Sequence, residues 1–366
     1  MSSLFSPYRL RDVEFANRIA VAPMCQYSAT NGTPGDWHMM HLGHMAISGA
    51  GLLICEATGV SKKGRITPDC TGLYSDENEA AFAELVTLCK SIAPLKMGIQ
   101  LSHAGRKGST RAPWLDGGPL TPEEGAWKTP APSPVPYLDG WTPPREMDAG
   151  DFKQAKTDFV AATNRAAKIG FDLVELHMAH GYLLHQFLSP ITNQRIDAFG
   201  GDLEGRMRFP LEVFEAVRAA FPSDLPVVVR LSASDWIEGG WDLDQSVLFC
   251  QHLKDLGCDL IHVSSGGLDQ RQQIRTGPGY QVAMSECIRR KVDIPTMAVG
   301  EITEPIQAET IIRTGQADAV ALARGLLWDP RWVWNAAVEL DAELDLPAPY
   351  ARANPALRAK PFVKRS

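Results

Sequence analysis

Two histidines and a tyrosine stand close together at the end of a predicted strand. The apolar run 171–176 follows Gly170 and is typical of a buried strand, and His177, His180 and Tyr182 come directly after it. In α/β folds, ligands bind where parallel strands end and their loops begin. An imidazole can donate a hydrogen bond to a substrate oxygen, and a phenol can deliver a proton. These three residues are therefore candidate catalytic groups.

A metal pair or two satisfied core histidines would be simpler interpretations of His177 and His180. A metal site needs at least three protein ligands, and the intervening Met178 and Ala179 supply none. The seven cysteines form no CxxC pair, and no helix carries an HExxH pattern. We therefore expect no metal, and reduced thiols in a cytoplasmic chain.

Composition and missing motifs exclude several classes of function. The 366 residues carry a net charge of -7, which gives no electrostatic footprint for nucleic acid or an anionic membrane. No leader and no apolar run of spanning length are found, so we expect a soluble, cytoplasmic protein. GxGxxG, GxxxxGK[ST] and GxSxG are absent, so a Rossmann nucleotide site, a P-loop and a hydrolase elbow are unsupported.

Apolar runs alternate with amphipathic segments along the chain. Continuous rather than alternating apolar character is typical of strands buried on both faces of a parallel sheet. The predicted strands are 18–22, 51–55, 97–101, 171–176, 226–230, 259–263, 294–299 and 318–322. The predicted helices are 37–49, 76–92, 148–169, 207–221, 243–257, 280–291, 304–314 and 329–341. Eight such units predict an α/β fold, a (β/α)8 TIM barrel over 1–346; an open doubly wound sheet is the alternative, since counting cannot show closure.

Two segments depart from this alternation. The loop after the third strand, 110–145, contains nine prolines together with Trp114, Trp127 and Trp141. Such length suggests a functional lid or a surface excursion, and the tryptophans argue against disorder because they need burial. Residues 347–366 are rich in proline, alanine and arginine, which predicts an extended C-terminal arm that could dock on a neighbouring subunit.

Two further strand ends carry positive charge. Loops after the seventh and eighth strands commonly bind phosphate in a barrel, and here they contain Gly300 and Arg324. Glycine lets backbone N–H groups approach a phosphate, and arginine can bind it in a bidentate manner. A salt bridge at the rim is the alternative for Arg324, and we prefer phosphate because a glycine-bearing loop lies beside it. Arg230 ends an apolar strand, so its buried charge must meet an anion, either a carboxylate or a ligand.

With these residues in place, the sequence resembles the Old Yellow Enzyme family of flavin-dependent ene reductases. It is similar in particular to the short, thermophilic-like branch that includes the bacterial xenobiotic reductases, from residue 4 to about residue 350. The segments that carry the resemblance are 17–19 with 23–27, 64–67, 98–107, 177–182 and 193–201. Several spaced, specific segments in the right order make coincidence a poor explanation.

The resemblance implies non-covalent FMN at the barrel mouth, with NADPH or NADH as reductant. It implies that the cofactor is held by Ala22, Pro23, Met24, Cys25, Ala57, Gln100, Arg230, Val299, Gly300, Ala323 and Arg324. His177 and His180 would bind the oxygen of an enone, maleimide or nitro substrate, with Tyr27 on the other side. Tyr182 would protonate the α-carbon after hydride reaches the β-carbon.

Two implications concern features of the branch. Cys25 would tune the flavin potential at a position that is threonine in most of the family. The segment Tyr350 to Arg352 resembles one that supplies an arginine to the neighbouring subunit's site, in a homodimer or homotetramer, although the aromatic expected after Arg352 is missing.

Three function hypotheses compete. The leading one is an FMN-dependent ene reductase. A dienoyl-CoA reductase or amine dehydrogenase would need a cysteine-rich cluster and a second nucleotide domain, which this chain lacks. A non-flavin barrel acting on sugar phosphates would explain the phosphate loops but would leave His177, His180 and Tyr182 without roles.

Overall fold

The computed structural model describes residues 2–350 and 352–353. Its strands are β1 (Tyr8–Leu10), β2 (Val13–Phe15), β3 (Ile19–Val21), β4 (Leu52–Gly59), β5 (Lys96–Ser102), β6 (Pro130–Ala131), β7 (Arg145–Glu146), β8 (Leu173–Met178), β9 (Val227–Ser232), β10 (Ile261–Ser264), β11 (Thr296–Ala298) and β12 (Ala319–Leu322). Eight of them, β3, β4, β5 and β8 to β12, form a closed parallel barrel. Closure comes from the pairing of β12 with β3, from Val320 opposite Ile19 to Leu322 opposite Val21. The predicted TIM barrel is confirmed, and the open sheet is excluded.

Helices surround the barrel. They are α1 (Asp36–Ala46), α2 (Asp76–Ile92), α3 (Ala149–Ile169), α4 (Leu183–Leu188), α5 (Leu203–Ala220), α6 (Leu243–Asp255), α7 (Val282–Ile288), α8 (Pro305–Arg313), α9 (Arg324–Trp328) and α10 (Trp332–Glu339). Four of them begin at a side-chain cap, from Ser75, Asp148, Asp202 and Asp242. Such caps satisfy backbone N–H groups that the first turn leaves free, so the chain re-enters each helix at a defined residue.

The barrel is closed at its amino-terminal end by the antiparallel hairpin β1–β2. Leu10, Val13 and Phe15 are buried against barrel residues that include Leu52 and Val228. An apolar plug at this end leaves the opposite, carboxyl end of the strands as the open mouth, where loops can build a site.

The long excursion after β5 is ordered. It contains two 3-10 turns and the paired strands β6 and β7, and the indole N–H of Trp127 donates to the carbonyl of Lys63 at 3.0 Å. Burial of all three tryptophans was expected; Trp127 and Trp141 are only half-buried, and for Trp114 the expectation is wrong, since 65% of its surface is exposed. Its indole instead packs edge-on against Tyr27 at 5.6 Å, beside the barrel mouth.

The end of the described chain lies against the barrel's outer layer. A 3-10 turn, Ala348–Tyr350, places the Tyr350 ring 5.8 Å from that of Trp334. Arg352 is exposed, and the remainder of the predicted arm, 354–366, lies outside the described residues. The division into a barrel over 1–346 and an arm over 347–366 therefore stays a prediction.

No helix within residues 2–350 and 352–353 has both the length and the apolar character to cross a membrane.

Candidate active site

His177, His180 and Tyr182 converge at the mouth. The ring of His177 lies 5.1 Å from that of His180 and 4.8 Å from that of Tyr182, nearly perpendicular to both. The convergence needs a sharp turn after β8, in which His180 adopts a φ of 56° and Gly181 a φ of 73°. The backbone N–H of His180 donates to the hydroxyl of Ser232 at 3.0 Å, which holds the turn against the end of β9.

The hydrogen bonds of the two imidazoles differ. Nδ1 of His177 accepts the backbone N–H of Ala179 at 3.2 Å, so its Nε2 carries the proton and can donate to a ligand. Nε2 of His180 lies 2.7 Å from the hydroxyl of Ser264. Burial, followed by the positive charge of Arg230, lowers the pKa of both histidines well below the ordinary value. Both rings are therefore neutral hydrogen-bonding groups at pH 7.

A buried network supports the turn from beneath. The N–H of Gly181 donates to Nδ1 of His185 at 2.9 Å, and Nε2 of His185 lies 2.9 Å from Oδ1 of Asp235. The other carboxylate oxygen of Asp235 accepts the hydroxyl of Ser189 at 2.6 Å. Sequence reasoning missed this network, because 50 residues separate its histidine from its aspartate.

A second buried chain of polar groups lies inside the barrel. Glu175 accepts the amide of Gln100 at 2.7 Å on one oxygen and contacts Nδ1 of His262 at 2.8 Å on the other. Burial raises the pKa of Glu175, but His262 and then Arg230 outweigh it, so the pKa is lowered and the carboxylate is charged. Neither His262 nor the chain it completes was singled out from the sequence.

Arg230 lies on β9 opposite His262 of β10 and His177 of β8. Its side chain is 8% exposed, and burial lowers its pKa. Its Nε has no hydrogen-bond partner, and within the described residues no carboxylate lies within 4.0 Å of its guanidinium. A buried donor without a partner costs about 1–3 kcal/mol, so the residue is suited to an anionic or carbonyl edge of a ligand.

The predicted phosphate site consists of the loop after β11, which contains Gly300, and the start of α9 after β12, which contains Arg324. Gly300 has a φ of 119°, and a Cβ there would lie 2.5 Å from Nε2 of Gln281. Ala323 precedes α9 without a side-chain cap. Arg324 is 81% exposed, and its nearest carboxylate, Glu301, lies 3.7 Å away. The rim salt bridge considered for Arg324 is therefore present but loose, and the guanidinium remains available to an anion.

The loop after β3 forms another wall of the mouth. A β-bulge interrupts the pairing of β4 with β5 between Cys55 and Ala57, and turns the intervening Glu56 toward that loop. Glu56 accepts the N–H of Gln26 at 3.1 Å and contacts Nε2 of His38 at 3.1 Å. Burial, then the charge of Glu56, raises the pKa of Cys25, so this residue is a neutral thiol.

The comparison with known families decides the identity of the site. The sequence model of the NADH:flavin oxidoreductase / NADH oxidase family matches residues 3–343. The chain belongs to this family, which is that of Old Yellow Enzyme. It is a flavin-dependent NAD(P)H oxidoreductase whose cofactor is FMN, so the non-flavin alternative is excluded.

Relatives and solved structures agree with this assignment. The chain is 42% identical to an NADPH dehydrogenase of Geobacillus sp. strain WCH70 over 351 residues, 95% of this chain and 98% of the relative. It is 40% identical to the NADPH dehydrogenase of Bacillus subtilis strain 168 over 95% of this chain and 98% of the relative. Among solved structures it resembles the Old Yellow Enzyme homologue of Zymomonas mobilis, with a TM-score of 0.76, 26% identity and 94% of each chain covered. Morphinone reductase gives a TM-score of 0.75 at 26% identity, covering 95% of this chain and 92% of that one.

The residues at the mouth fit FMN. Arg230, on β9, has a buried guanidinium without a carboxylate partner among the described residues, and Arg324, just after β12, has an exposed guanidinium. A flavin mononucleotide has a polar ring edge and a phosphate, and groups of these two kinds would hold them.

Proposed function

We propose that this enzyme is an ene reductase. It reduces the activated C=C bond of an α,β-unsaturated carbonyl or nitro compound, maleimides included, at the expense of NADPH or NADH. The observation that carries the proposal is the convergence at the mouth of His180 and Tyr182 on His177, whose ring lies 5.1 Å and 4.8 Å from theirs, with Arg230 beside His177 on the neighbouring strand. Two neutral imidazoles and a protonated phenol provide hydrogen bonds and a proton together, which a site that only oxidises NAD(P)H does not require.

The proposal assigns the cofactor to two sets of residues. The ring is held by Ala22, Pro23, Met24, Cys25, Ala57, Gln100 and Arg230, and the phosphate by Val299, Gly300, Ala323 and Arg324. Support comes from the partnerless Nε of Arg230 and from the exposed guanidinium of Arg324. When bound, FMN supplies hydride transfer between NAD(P)H and the activated double bond.

The chain's own groups do the remaining work. Nε2–H of His177 donates to the carbonyl or nitro oxygen, where negative charge develops as the double bond is reduced. His180 completes the oxygen site, and Tyr27 bounds the substrate from the loop after β3. Tyr182, a buried phenol whose pKa burial raises well above its ordinary value, is protonated at pH 7 and delivers its proton to the α-carbon.

We test the substrate class by stopped-flow mixing of the NADPH-reduced holoenzyme with 2-cyclohexenone, N-methylmaleimide and a nitro compound. Reoxidation by the enone and the maleimide supports the proposal. A holoenzyme that NADPH reduces but that only dioxygen reoxidises would contradict it.

Tyr182→Phe tests the proton donor. The variant keeps the ring and should slow reduction of enones by about 10²-fold or more, as loss of a general acid does. Flavin reduction by NADPH should be unchanged, and the first reduction of a nitro group, which needs no carbon protonation, should be affected far less. An equal loss on both substrate classes would mean that Tyr182 positions the ligand instead.

We also propose a homodimer or homotetramer in which Arg352 reaches the neighbour's site. Its support is the exposure of Arg352 at the end of the described chain. Light scattering on the eluting protein tests the assembly, and a monomer with full activity would refute it.

A further inference from the structure

One ionisable group at the mouth has no part in the chemistry above. Lys107 follows β5 and is largely buried. Its Nζ donates to the backbone carbonyls of His180 and Gly267, each at 2.9 Å. It also lies 5.2 Å from the ring centre of Tyr182 and 4.7 Å from that of Tyr137, which comes from the long excursion. Three segments of the site, which are the loop after β8, the loop after β10 and the long excursion, therefore meet at this amine.

We propose that Lys107 is a positioning residue that acts through Tyr182, supplying the positive charge beside which that phenol gives up its proton. This inference rests on the proposed role of Tyr182 as the proton donor, and it adds Lys107 as the charged group that stabilises the phenolate left behind.

The reason is the cost of leaving a buried phenolate. When the O–H bond of Tyr182 breaks, its proton passes to the α-carbon of the substrate, and water later restores it. Burial makes the resulting negative charge unfavourable, which is why the pKa of Tyr182 is raised well above its ordinary value. An ammonium at 5.2 Å from the ring offsets this cost, since opposite charges attract strongly where water is excluded.

The titratable groups around Lys107, together with its burial, determine the pH range in which its amine is protonated. Arg106 lies on the same segment, His177 and His180 face it from the loop after β8, and Asp269 faces Arg106 from the loop after β10. Within residues 2–350 and 352–353, no carboxylate lies within 4.0 Å of its Nζ. Burial, then repulsion from Arg106, lowers the pKa of Lys107 to about 7.

Both protonation states keep the two bonds to the carbonyls, because a neutral amine still has two N–H donors. What changes with pH is therefore the charge beside Tyr182 and not the fold of the loops. The ammonium form is the competent one, so enone reduction should fall as pH rises through about 7.

The experiment is a double-mutant cycle on the oxidative half-reaction with 2-cyclohexenone. Lys107→Met should slow the reaction about 10-fold or more, which is part of the ~10²–10⁴ that a general acid contributes. The same change in a Tyr182→Phe background should add nothing, since the group through which it acts is gone. Lys107→Arg keeps a permanent charge and should give a rate without the decline near pH 7. An equal loss in both backgrounds would overturn the proposal.

Two controls keep the test decisive. Should Lys107→Met not fold, the wild-type pH profile is compared with that of Tyr182→Phe, and a decline near pH 7 that persists in the phenylalanine variant overturns the proposal. If the wild-type holoenzyme reduces no enone at all, the proposed function fails. If it reduces enones and Lys107→Met matches it at every pH, only this inference fails.

Discussion

His177 and His180 received the same role from the sequence, but their hydrogen bonds in the structure differ. Nδ1 of His177 accepts a backbone N–H, so its Nε2–H is directed by the fold and free for a ligand. Nε2 of His180 is already 2.7 Å from the hydroxyl of Ser264, which in turn lies 3.4 Å from the amide oxygen of Gln281. A Ser264 hydroxyl that donates to that amide accepts from Nε2–H of His180, so His180 shares its one N–H between Ser264 and a substrate oxygen.

We therefore expect His177→Ala to be the more damaging change. Loss of one donor to a developing oxyanion costs about 10²–10³ in rate, or about 2.7–4 kcal/mol. At position 180 the replacement is asparagine, because the φ of 56° there is tolerated by asparagine and strained for alanine. His180→Asn should cost about 10-fold, roughly 1.4 kcal/mol, because its imidazole is shared with Ser264.

The assay is the stopped-flow rate at which 2-cyclohexenone reoxidises the NADPH-reduced holoenzyme, with flavin content measured for each variant. His252→Ala, on the exposed face of α6, is the matched control and should leave the rate unchanged. A larger loss at His180 than at His177 would refute the assignment of donors. Unchanged turnover in both variants would remove the pair from the mechanism.

Three further predictions concern the cofactor and stability. Arg324→Ala should be purified largely without FMN, because the phosphate loses a charge-assisted partner; full occupancy at sub-micromolar protein would contradict this. Cys25→Ser should shift the flavin midpoint potential without loss of FMN, since a hydroxyl donates a stronger hydrogen bond than a thiol; a wild-type potential in redox titration would make Cys25 a packing residue. Burial lowers the pKa of His103 from 6.5 to about 4, so as the pH falls the unfolded chain takes up a proton at this histidine before the folded chain does. The contribution of the buried, neutral His103 to folding stability is therefore complete above pH 6.5 and is lost as the pH falls toward 4. Between pH 6.5 and 4, the free energy of unfolding measured with urea should fall less steeply in His103→Gln than in the wild type, by up to about 1.4 kcal/mol per pH unit. The same pH dependence in both proteins would contradict this prediction.

The barrel could be predicted because its strands are buried on both faces. Each of the eight apolar runs overlaps an observed strand, and alternation with helices fixes a parallel order. The observed ends of two elements differ from the predicted ones, and both lie beside the candidate site. The predicted strand 51–55 continues to Gly59 through the bulge at Glu56, and the predicted helix 329–341 begins only at Trp332, after the separate short helix α9.

Elements without periodic signals were missed. The hairpin β1–β2 has only three residues in each strand, and α4 has six, too few for a pattern to show. For the site, strand ends indicated Arg230 and the His177 group, since the barrel mouth collects them. The Glu175–His262 contact and the bonds of Lys107 to two carbonyls are long-range, so no spacing in the sequence could reveal them.

The central claim is that hydride from NADPH, carried by the flavin, reaches the β-carbon of the substrate, while a proton delivered by Tyr182 reaches the α-carbon. The most direct measurement places isotopes in the product of 2-cyclohexenone reduction by the holoenzyme. With NADPH deuterated at C4 of the nicotinamide, we expect deuterium at the β-carbon of the product. With D2O as solvent, we expect deuterium at the α-carbon, and Tyr182→Phe should slow this reduction. Reduction of the C=O bond, or an α-carbon without solvent deuterium, would contradict it.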